Sequence, residues 1–369
     1  MSQNPQVVTE NPRAMPEDPQ TMLENPSAMP EDPHTMLENP SAMPRNPQVM
    51  PQDLQPLSRD LQALSQAPQA EPETPAGLAA PASLLAALHA EVVARLGTAI
   101  ESLFIERAVL GIFFTGVKLN NGAGGLCATP IKSVPEAVCC PSSAHAMPVP
   151  GKITGRPAAR MLEDLYRPQD LRRTLAIATL NALVETLWRQ GEAPGNVGIS
   201  EGDAFDALVI RPEDYVVMVG AFPPYMRELR RRNQRFNVLE LDPSTFKPHE
   251  LPFYVQADRA AEIVPEADVF ITTGTTLIND TLEGLLGLLK SGAEAAIIGP
   301  TAALIPGPFA ERGATVVGGT RVLDPDTLLD MLAEGGSGYH LFGKTVARVT
   351  LRVGDGRAGA AGEGGMAPR

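Results

Sequence analysis

Hydrophobic and polar residues alternate with helical spacing in two long segments of the chain. Ser83 precedes the first segment, LLAALHAEVVARL, and can cap a helix that begins at residue 84. The second segment, QDLRRTLAIATLNALVETLW, follows Pro168 and has leucine, alanine and isoleucine on one side. We therefore expect one helix over residues 84–96 and another over residues 169–188.

Apolar runs rich in β-branched and aromatic residues lie between these helices. VLGIFFTGV, residues 109–117, predicts one strand. Asn120-Asn121-Gly122 is a turn signal, and GLCATPI at 125–131 predicts a return strand. Together with the helices, these strands predict a small α+β domain over residues 78–195.

The following part of the chain alternates short apolar runs with helical segments. Strands are expected at residues 215–220, 237–241, 268–272, 295–298 and 315–317, with helices at about 225–233 and 276–290. Apolar strands joined by helices of this length are typical of an open, doubly wound parallel sheet. We expect a Rossmann-like domain over residues 196–353, in which LFGKTVARVTLRV forms an edge strand and a disordered glycine-rich tail, residues 354–369, follows.

The amino-terminal part differs in composition. Residues 1–76 hold 15 of the 36 prolines and 11 acidic residues against 3 arginines, in a 14-residue repeat such as ENPSAMPEDPHTML. Proline at this frequency prevents helix continuation, and the apolar content is too low for a core. We expect a disordered arm over residues 1–77. It is interpreted either as a solubilising linker or as a docking segment that uses its Met-Pro and Met-Leu pairs.

Charge and composition exclude several classes of protein. The net charge of -13 argues against general binding of nucleic acid or of an anionic membrane. The chain contains no run of about 18 uncharged apolar residues that could span a bilayer. Its first residues also lack the basic and apolar segments of a signal peptide, so secretion by that route is not expected. Three cysteines fit a reducing compartment, so a cytoplasmic protein is expected. A homo-oligomer is a hypothesis that the sequence does not fix.

Ligands of an open parallel sheet bind beyond the carboxyl ends of its strands. This rule selects GAFPPY at 220–225, the residues around Glu240 and Asp242, TTGTTLIND at 272–280 and GPTAALIPGP at 299–308. The first loop lacks the G-x-G-x-x-G fingerprint, because Phe222, Pro223 and Pro224 stand in it. NAD is therefore not expected, although Glu240 has the spacing of a ribose-binding acid.

Two polar loops are candidates for ligand contacts. Thr272, Thr273, Gly274, Thr275 and Thr276 lie at a strand-to-helix junction, which favours an anionic or strongly polar ligand. The same hydroxyls could merely cap the helix. Asn279 and Asp280 follow about one turn later and could face either the cleft or the solvent.

The second polar loop lies in the first domain. Lys118, Asn120 and Asn121 stand beside Gly122, Gly124 and Gly125, and could bind a carboxylate or phosphate or form a plain hairpin tip.

Three cysteines and one histidine could together form a metal site, although their sequence pattern is not specific to one. Cys127, Cys139, Cys140 and His145 are ligands that suit zinc, copper or heavier thiophilic ions. Their spacing matches no standard zinc knuckle, and Cys127 within an apolar strand could be a core residue. A transition-metal or heavy-metal ion is thus a hypothesis, and the cofactor remains unidentified.

Several segments resemble a family of prokaryotic proteins described as putative heavy-metal chelation proteins. They are FFTGVKLNNGAGGLCATP, VVMVGAFPPYMRELR, LELDP, ADVFITTGTTLINDTLEGLL and AIIGPTAALIPGPF, which occur in the same order over residues 90–353. The resemblance implies a domain like the amino-terminal domain of enolase, a Rossmann-like domain and a site between them. That cleft would be lined by residues 118–125, 220–225, 273–279 and 299–306.

Our leading hypothesis is a protein that binds a small molecule, a metal complex or an anionic metabolite in the interdomain cleft. Its ligand-binding residues would be Lys118, Asn120, Asn121, Gly220, Phe222, Asp242, Thr273, Gly274, Thr275, Thr276, Asn279, Gly299 and Thr301. One alternative is an enzyme with a nucleotide-like cosubstrate such as S-adenosylmethionine, which Asp242 motivates. Another is a scaffold protein that acts through its arm. The sequence leaves open whether the protein is an enzyme.

Overall fold

A computed structural model of the protein describes residues 83–131, 150–192 and 197–353. The expected arm, residues 1–77, and the expected tail, residues 354–369, lie outside the described residues. In the described part of the chain, none of the helices combines the length and apolar character needed to cross a membrane.

The first part of the described chain is a three-stranded antiparallel sheet covered by helices. The strands β1 (Ile105–Leu110), β2 (Phe114–Leu119) and β3 (Gly124–Ala128) lie in the order β1-β2-β3. The helices are α1 (Leu84–Leu96), α2 (Ala158–Leu162) and α3 (Asp170–Arg189). The Ser83 side chain accepts a hydrogen bond from the Ala86 amide, as its position before the helix predicts.

Helix α3 packs directly on β3, and one glycine makes this contact possible. A Cβ atom at Gly125 would lie 2.0 Å from the Ala178 carbonyl oxygen and 2.3 Å from the Ala182 amide nitrogen. The backbones of helix and strand therefore approach closer than any residue with a side chain would allow. This contact fixes the helix against the small sheet.

The single strand predicted at 109–117 is wrong, because the chain reverses within it. β1 ends at Leu110 and β2 begins at Phe114, with a tight turn between them. The Gly111 amide donates to the Phe114 carbonyl, and its missing side chain leaves room for the carbonyls of Phe114 and Leu332. The turn was not predicted because apolar residues continue through it from Val109 to Val117.

The second part is an eight-stranded mixed sheet in the order β4-β11-β10-β9-β8-β5-β6-β7. The strands are β4 (Gly198–Glu201), β5 (Tyr215–Val219), β6 (Arg235–Glu240), β7 (Tyr254–Gln256), β8 (Val269–Thr273), β9 (Glu294–Ile298), β10 (Val316–Val322) and β11 (Val346–Arg352). The helices are α4 (Pro223–Arg231), α5 (Ala260–Ile263), α6 (Leu282–Gly287), α7 (Gly307–Ala310), α8 (Pro325–Ala333) and α9 (Gly338–Leu341). The six strands from β5 to β10 pair with one another in parallel. Strand β11 pairs antiparallel with β10, and β4 pairs antiparallel with β11.

The order of the parallel strands confirms the expected Rossmann-like sheet. From β5 the chain first adds β6 and β7 on one side and then β8, β9 and β10 on the other. This reversal makes the gap between β5 and β8 a topological switch point, where ligands of such sheets bind. Strand β11 lies inside the sheet rather than at its edge, because the short, exposed β4 pairs with it.

Side chains of the central strands alternate between two apolar layers. In β5, Val217 belongs to a core shared with α3 and β3, whereas Val216 and Met218 face a second cluster around α4. Both faces of the strand are buried, as its unbroken apolar run predicts. The larger cluster contains residues of both the small sheet and the large sheet, so the two parts share a core.

The helix expected at about 276–290 is interrupted. A 3-10 helix covers Gly274–Leu277, and α6 begins only at Leu282. Asp280 lies between them with φ 61°, in the left-handed region that ends helices. The side chains of Leu277, Ile278 and Leu282 are buried on both sides of the break. Hydrophobic periodicity therefore continues across it and predicted one uninterrupted helix.

Candidate functional site

A cavity of about 450 Å³ lies at the switch point of the large sheet. Its walls come from the carboxyl ends of β5, β6 and β8 and from α5 and α6. The lining residues are Val219, Gly220, Leu239, Glu240, Leu241, Ala257, Ala260, Thr273, Thr275, Thr276, Asn279, Asp280, Thr281, Gly284, Leu285 and Leu288. This volume is within the range of pockets that hold small organic molecules.

Glu240 brings a carboxylate to the cavity at the end of β6. One of its oxygens accepts a hydrogen bond from the Ala221 amide at 3.3 Å, and the other accepts from the Leu241 amide at 2.9 Å. Each oxygen retains a second acceptor position, so the carboxylate can also accept two ligand hydroxyls. The amides that hold it belong to the ends of neighbouring strands, which fixes its orientation.

Leu241 gives the mouth of the cavity an exposed apolar surface. Leu241 is 77% exposed and follows Glu240 directly in the chain. Ala257, Ala260 and Leu285 continue the apolar wall inside the cavity. A flat apolar group of a ligand would find contacts here and cover Leu241.

The threonines after β8 lie in the cavity but also bond to one another. Thr273 Oγ1 accepts hydrogen bonds from the Thr275 amide at 3.3 Å and the Thr275 hydroxyl at 3.1 Å. The Thr276 hydroxyl donates to the Thr273 carbonyl at 2.7 Å. These bonds cap the 3-10 helix, as the capping interpretation of the loop predicts. Thr273 Oγ1 accepts both bonds from Thr275 and so keeps only its O–H to donate to a ligand, whereas the Thr275 oxygen keeps lone pairs for a ligand donor.

Asn279 and Asp280 lie at the rim of the same cavity. Asn279 Oδ1 accepts from the Thr281 hydroxyl at 2.8 Å and stabilises the turn before α6. The Asp280 carboxylate forms neither a hydrogen bond nor an ion pair with any other described residue, and its backbone has a positive φ. Left-handed non-glycine residues of this kind cluster at functional sites.

The Lys118 loop does not line this cavity and makes contacts inside the fold. Lys118 Nζ donates to Glu106 Oε1 at 2.8 Å and to both oxygens of Asp326 at 2.9 Å. These two hydrogen-bonded carboxylates raise the pKa of the Lys118 ammonium. Asn120 bonds to the backbone of Phe104 and Ser102.

Asn121 is similarly engaged, since its amide donates to Thr186 Oγ1 at 3.0 Å and its oxygen accepts from the Ala123 amide. The structure therefore brings together Gly220, Thr273, Thr275, Thr276 and Asn279 from the expected set, and leaves Lys118, Asn120 and Asn121 elsewhere.

Phe222 and Asp242 flank the cavity without lining it. The Phe222 ring stacks on Tyr225 with centroids 5.1 Å apart. Asp242 Oδ1 accepts from the Ser244 amide at 2.9 Å and caps a short 3-10 helix. Glu240, two residues earlier, occupies the position in the cavity that Asp242 was expected to hold.

The loop after β9 connects the two sheets. Thr301 is fully buried, and its Oγ1 accepts a hydrogen bond from the Ala128 amide at 3.1 Å. Asn181 Nδ2 donates to the Leu126 and Pro300 carbonyls. Gly274 is also packed here, since a Cβ on it would lie 2.9 Å from the Ala302 amide.

Gly299 lines a second, smaller cavity of about 50 Å³, which has room only for water-sized groups. Tyr225, Asp203 and Arg348 also line it, and the Tyr225 hydroxyl donates to Asp203. Burial and this carboxylate raise the pKa of Tyr225, so the phenol stays protonated. The Arg348 guanidinium carbon lies 4.2 Å from the Phe342 ring centroid.

Of the proposed metal ligands, only Cys127 is among the described residues. Its thiol is fully buried, and burial raises its pKa to about 12, which disfavours the thiolate that binds metals. Cys139, Cys140 and His145 lie outside the described residues. Within residues 83–131, 150–192 and 197–353, there is no group of three or more histidine, cysteine, aspartate or glutamate residues arranged to hold a metal ion.

Glu240, Leu241 and Gly284 line the cavity but were not among the expected ligand-binding residues. The signal for Glu240 is its spacing of 20 residues from Gly220, but the absence of the glycine fingerprint argued against a ribose-binding role. Gly284 is a helical glycine on the cavity wall, and a Cβ there would meet nothing within 4 Å. Its position on the wall could not be predicted, because the start of α6 was misplaced.

Comparison with known proteins gives consistent matches over both parts of the chain. Residues 93–184 and 203–351 match two family models, each described as putative heavy-metal chelation. An uncharacterised protein of Methanocaldococcus jannaschii is 30% identical over 184 residues, which cover 49% of this chain and 66% of that protein. The match thus spans slightly less than two thirds of the relative's length.

Two crystal structures of proteins with unknown function, both from the family whose model matches residues 203–351, have similar folds. The protein from Pyrococcus horikoshii has a TM-score of 0.58 and 18% identity, covering 73% of this chain and 100% of that chain. The protein from Desulfitobacterium hafniense has a TM-score of 0.54 and 18% identity, covering 72% and 98%. At this identity the likeness concerns the fold alone.

Proposed function

Because the chain belongs to the family described as putative heavy-metal chelation proteins, we propose that it binds a small organic molecule, free or complexed with a metal ion. The proposed binding site is the 450 Å³ cavity at the switch point between β5 and β8. The ligand class that suits this cavity best is a nucleoside, which combines a flat ring with neighbouring hydroxyls. The cytoplasm is the proposed compartment, which suits the free thiol of Cys127.

The observation that carries this proposal is the Glu240 carboxylate at the end of β6. In Rossmann-like sheets an acidic residue at the end of the second strand accepts hydrogen bonds from ribose hydroxyls. Here β6 is the second parallel strand, and the Ala221 and Leu241 amides orient the carboxylate. Two neighbouring hydroxyls of a ligand would complete its hydrogen bonding.

The apolar wall next to Glu240 supports a ligand that also contains a ring. Leu241 is 77% exposed and would be covered by a ring whose sugar bonds to Glu240. Covering a leucine side chain of this exposure contributes about 1.5–3 kcal/mol at most. The Thr275 oxygen can accept a hydrogen bond from the polar edge of such a ligand, and the Thr273 hydroxyl can donate one.

The family description motivates a second hypothesis, direct binding of a thiophilic metal ion. Cys139, Cys140 and His145 have suitable ligand chemistry, whereas the buried Cys127 thiol fits such a site poorly. The two hypotheses differ in where the metal lies, since a metal complex would occupy the switch-point cavity. Neither hypothesis assigns a bond-making reaction to the protein.

Two glycines of α6 provide a matched test of the cavity. Gly284 lines it, Gly287 lies one turn later outside it, and a Cβ at either position would meet nothing within 4 Å. Gly284→Leu would fill the cavity and is expected to weaken adenosine binding by more than about tenfold, measured by isothermal titration calorimetry. Gly287→Leu should leave binding unchanged, and the two variants should have similar melting temperatures.

Equal affinity of Gly284→Leu and wild type for adenosine would contradict the proposed cavity. Metal analysis and native mass spectrometry of protein purified without chelators separate the two hypotheses. A transition metal that is lost in a Cys139→Ser/Cys140→Ser variant would favour direct chelation. A metal that is lost in Gly284→Leu but kept in Gly287→Leu would favour a metal complex in the cavity.

A further inference from the structure

The switch-point cavity carries negative charge only. Glu240 and Asp280 are its two ionisable lining residues, and among the described residues none of those that line it is lysine, arginine or histidine. An anionic group in this cavity would lie near two carboxylates without an opposing cation. Electrostatics therefore favours a neutral or positively charged ligand.

The backbone that usually binds phosphate is also unsuited to it here. In nucleotide-binding sheets, free amides of the turn after the first strand and of the following helix hold the phosphates. The corresponding turn of this protein follows β5. The Gly220 amide donates to the Leu239 carbonyl at 3.0 Å, and the Ala221 amide donates to Glu240.

The next positions of this turn lack amide hydrogens altogether. Pro223 and Pro224 are the first two residues of α4, where a helix would otherwise direct N–H groups at a phosphate. Four of the five residues from Gly220 to Pro224 thus have either an occupied amide or none. The turn that would bind phosphate is closed to it, while the acid that would bind ribose is present.

From this combination we infer that the cavity selects nucleosides without phosphate, and prefers those that carry a positive charge near the sugar. The inference rests on the proposed binding of a nucleoside in this cavity. Thioether and sulfonium derivatives of adenosine belong to the selected class, and nucleoside phosphates and dinucleotides are rejected. Glu240 binds the sugar hydroxyls, and Asp280 supplies the charge preference.

Asp280 can contribute to this preference because none of the described cationic side chains pairs with its carboxylate. It has neither a hydrogen bond nor an ion pair with other residues in the described part of the chain, and it lies at the cavity rim. Its left-handed backbone holds the residue at the break between the 3-10 helix and α6. Asparagine tolerates the same backbone conformation, so Asp280→Asn removes the charge without disturbing the turn.

The test compares adenosine, 5′-methylthioadenosine, S-adenosylmethionine, AMP, ATP and NAD by isothermal titration calorimetry at low salt. Adenosine and its thioether should bind, and the sulfonium compound should bind at least as tightly as the thioether. AMP should bind at least about tenfold more weakly than adenosine, because its phosphate adds like charge and the turn after β5 leaves it an amide from at most one of its five residues. Asp280→Asn should reduce this difference about threefold, with a smaller effect at high salt.

Glu334→Gln is the matched charge control, because Glu334 is exposed at the end of α8 and does not line the cavity. This variant should leave the difference between adenosine and AMP unchanged. If AMP, ATP or NAD binds more tightly than adenosine, the inference is overturned while nucleoside binding stands. If none of the six compounds binds, the proposed function itself fails.

Discussion

Gly220 and Thr273 meet across the switch point, at the ends of the neighbouring parallel strands β5 and β8. Gly220 has φ 88°, and a Cβ atom added to it would lie 3.0 Å from Thr273 Cγ2. Both residues line the large cavity. The close approach requires glycine for two reasons, its backbone conformation and its lack of a side chain.

Gly220→Ala is therefore expected to destabilise the protein by about 1–3 kcal/mol, from left-handed strain and contact with Thr273. Urea denaturation measures the change in the free energy of unfolding. Gly292→Ala is the matched control, because Gly292 has φ 77° but an added Cβ there would meet nothing within 4 Å. The difference between the two variants isolates the contact, and equal losses would contradict its contribution.

Lys118 is predicted to stabilise the fold rather than to bind the ligand. It lies between Glu106 on β1 and Asp326 on α8, with 14% of its side chain exposed. Lys118→Met should lower the free energy of unfolding by about 0.5–1 kcal/mol, since the partner carboxylates are largely solvated. Its affinity for adenosine should equal that of the wild type. A tenfold loss of affinity with unchanged stability would instead support the ligand contact expected from the sequence.

The fold followed from the sequence where local pattern and tertiary position agree. The strand expected at 215–220 and the helix expected at 169–188 are confirmed, as Tyr215–Val219 and Asp170–Arg189, and each buries most of its surface. The hairpin at Gly111 and the break at Asp280 were missed because apolar residues continue on both sides of them. Hydrophobic periodicity reports burial, and burial persists through a turn when both flanking segments face the core.

The site could be predicted only in part for a similar reason. The switch-point rule identified the loops after β5 and β8, since topology alone determines where parallel strands end together. It could not tell that Glu240 rather than Asp242 lines the cavity, because the two residues differ by two positions at a strand end. Nor could it assign Lys118, whose partner Asp326 is 208 residues distant in sequence.

Cys127 is predicted to be chemically inert in the native protein. Burial raises its thiol pKa to about 12, and the side chain is fully buried beside Thr301. Since the thiolate is the reactive form, a Cys139→Ser/Cys140→Ser variant should not react with a thiol reagent at pH 8. One thiol per chain should react after denaturation in guanidinium. Rapid labelling of the native variant would contradict the burial of Cys127.

His89 should make stability depend on pH through its contact with Tyr166. His89 Nδ1 lies 2.7 Å from the Tyr166 hydroxyl, and burial lowers the pKa of the imidazole below its usual 6.5. With the ring neutral, Nδ1 can accept the hydrogen bond from Tyr166, and protonation of Nδ1 removes this acceptor.

The folded state thus binds the His89 proton more weakly than the unfolded state does. The stability that this residue contributes is complete above pH 6.5 and is lost as the pH falls from 6.5 through the lowered pKa. The loss should be at most about 1 kcal/mol, as for one partly exposed hydrogen bond. Urea denaturation at pH 7.5 and pH 5 measures it. In His89→Asn this part of the pH dependence should disappear, and an unchanged dependence would assign it to other groups.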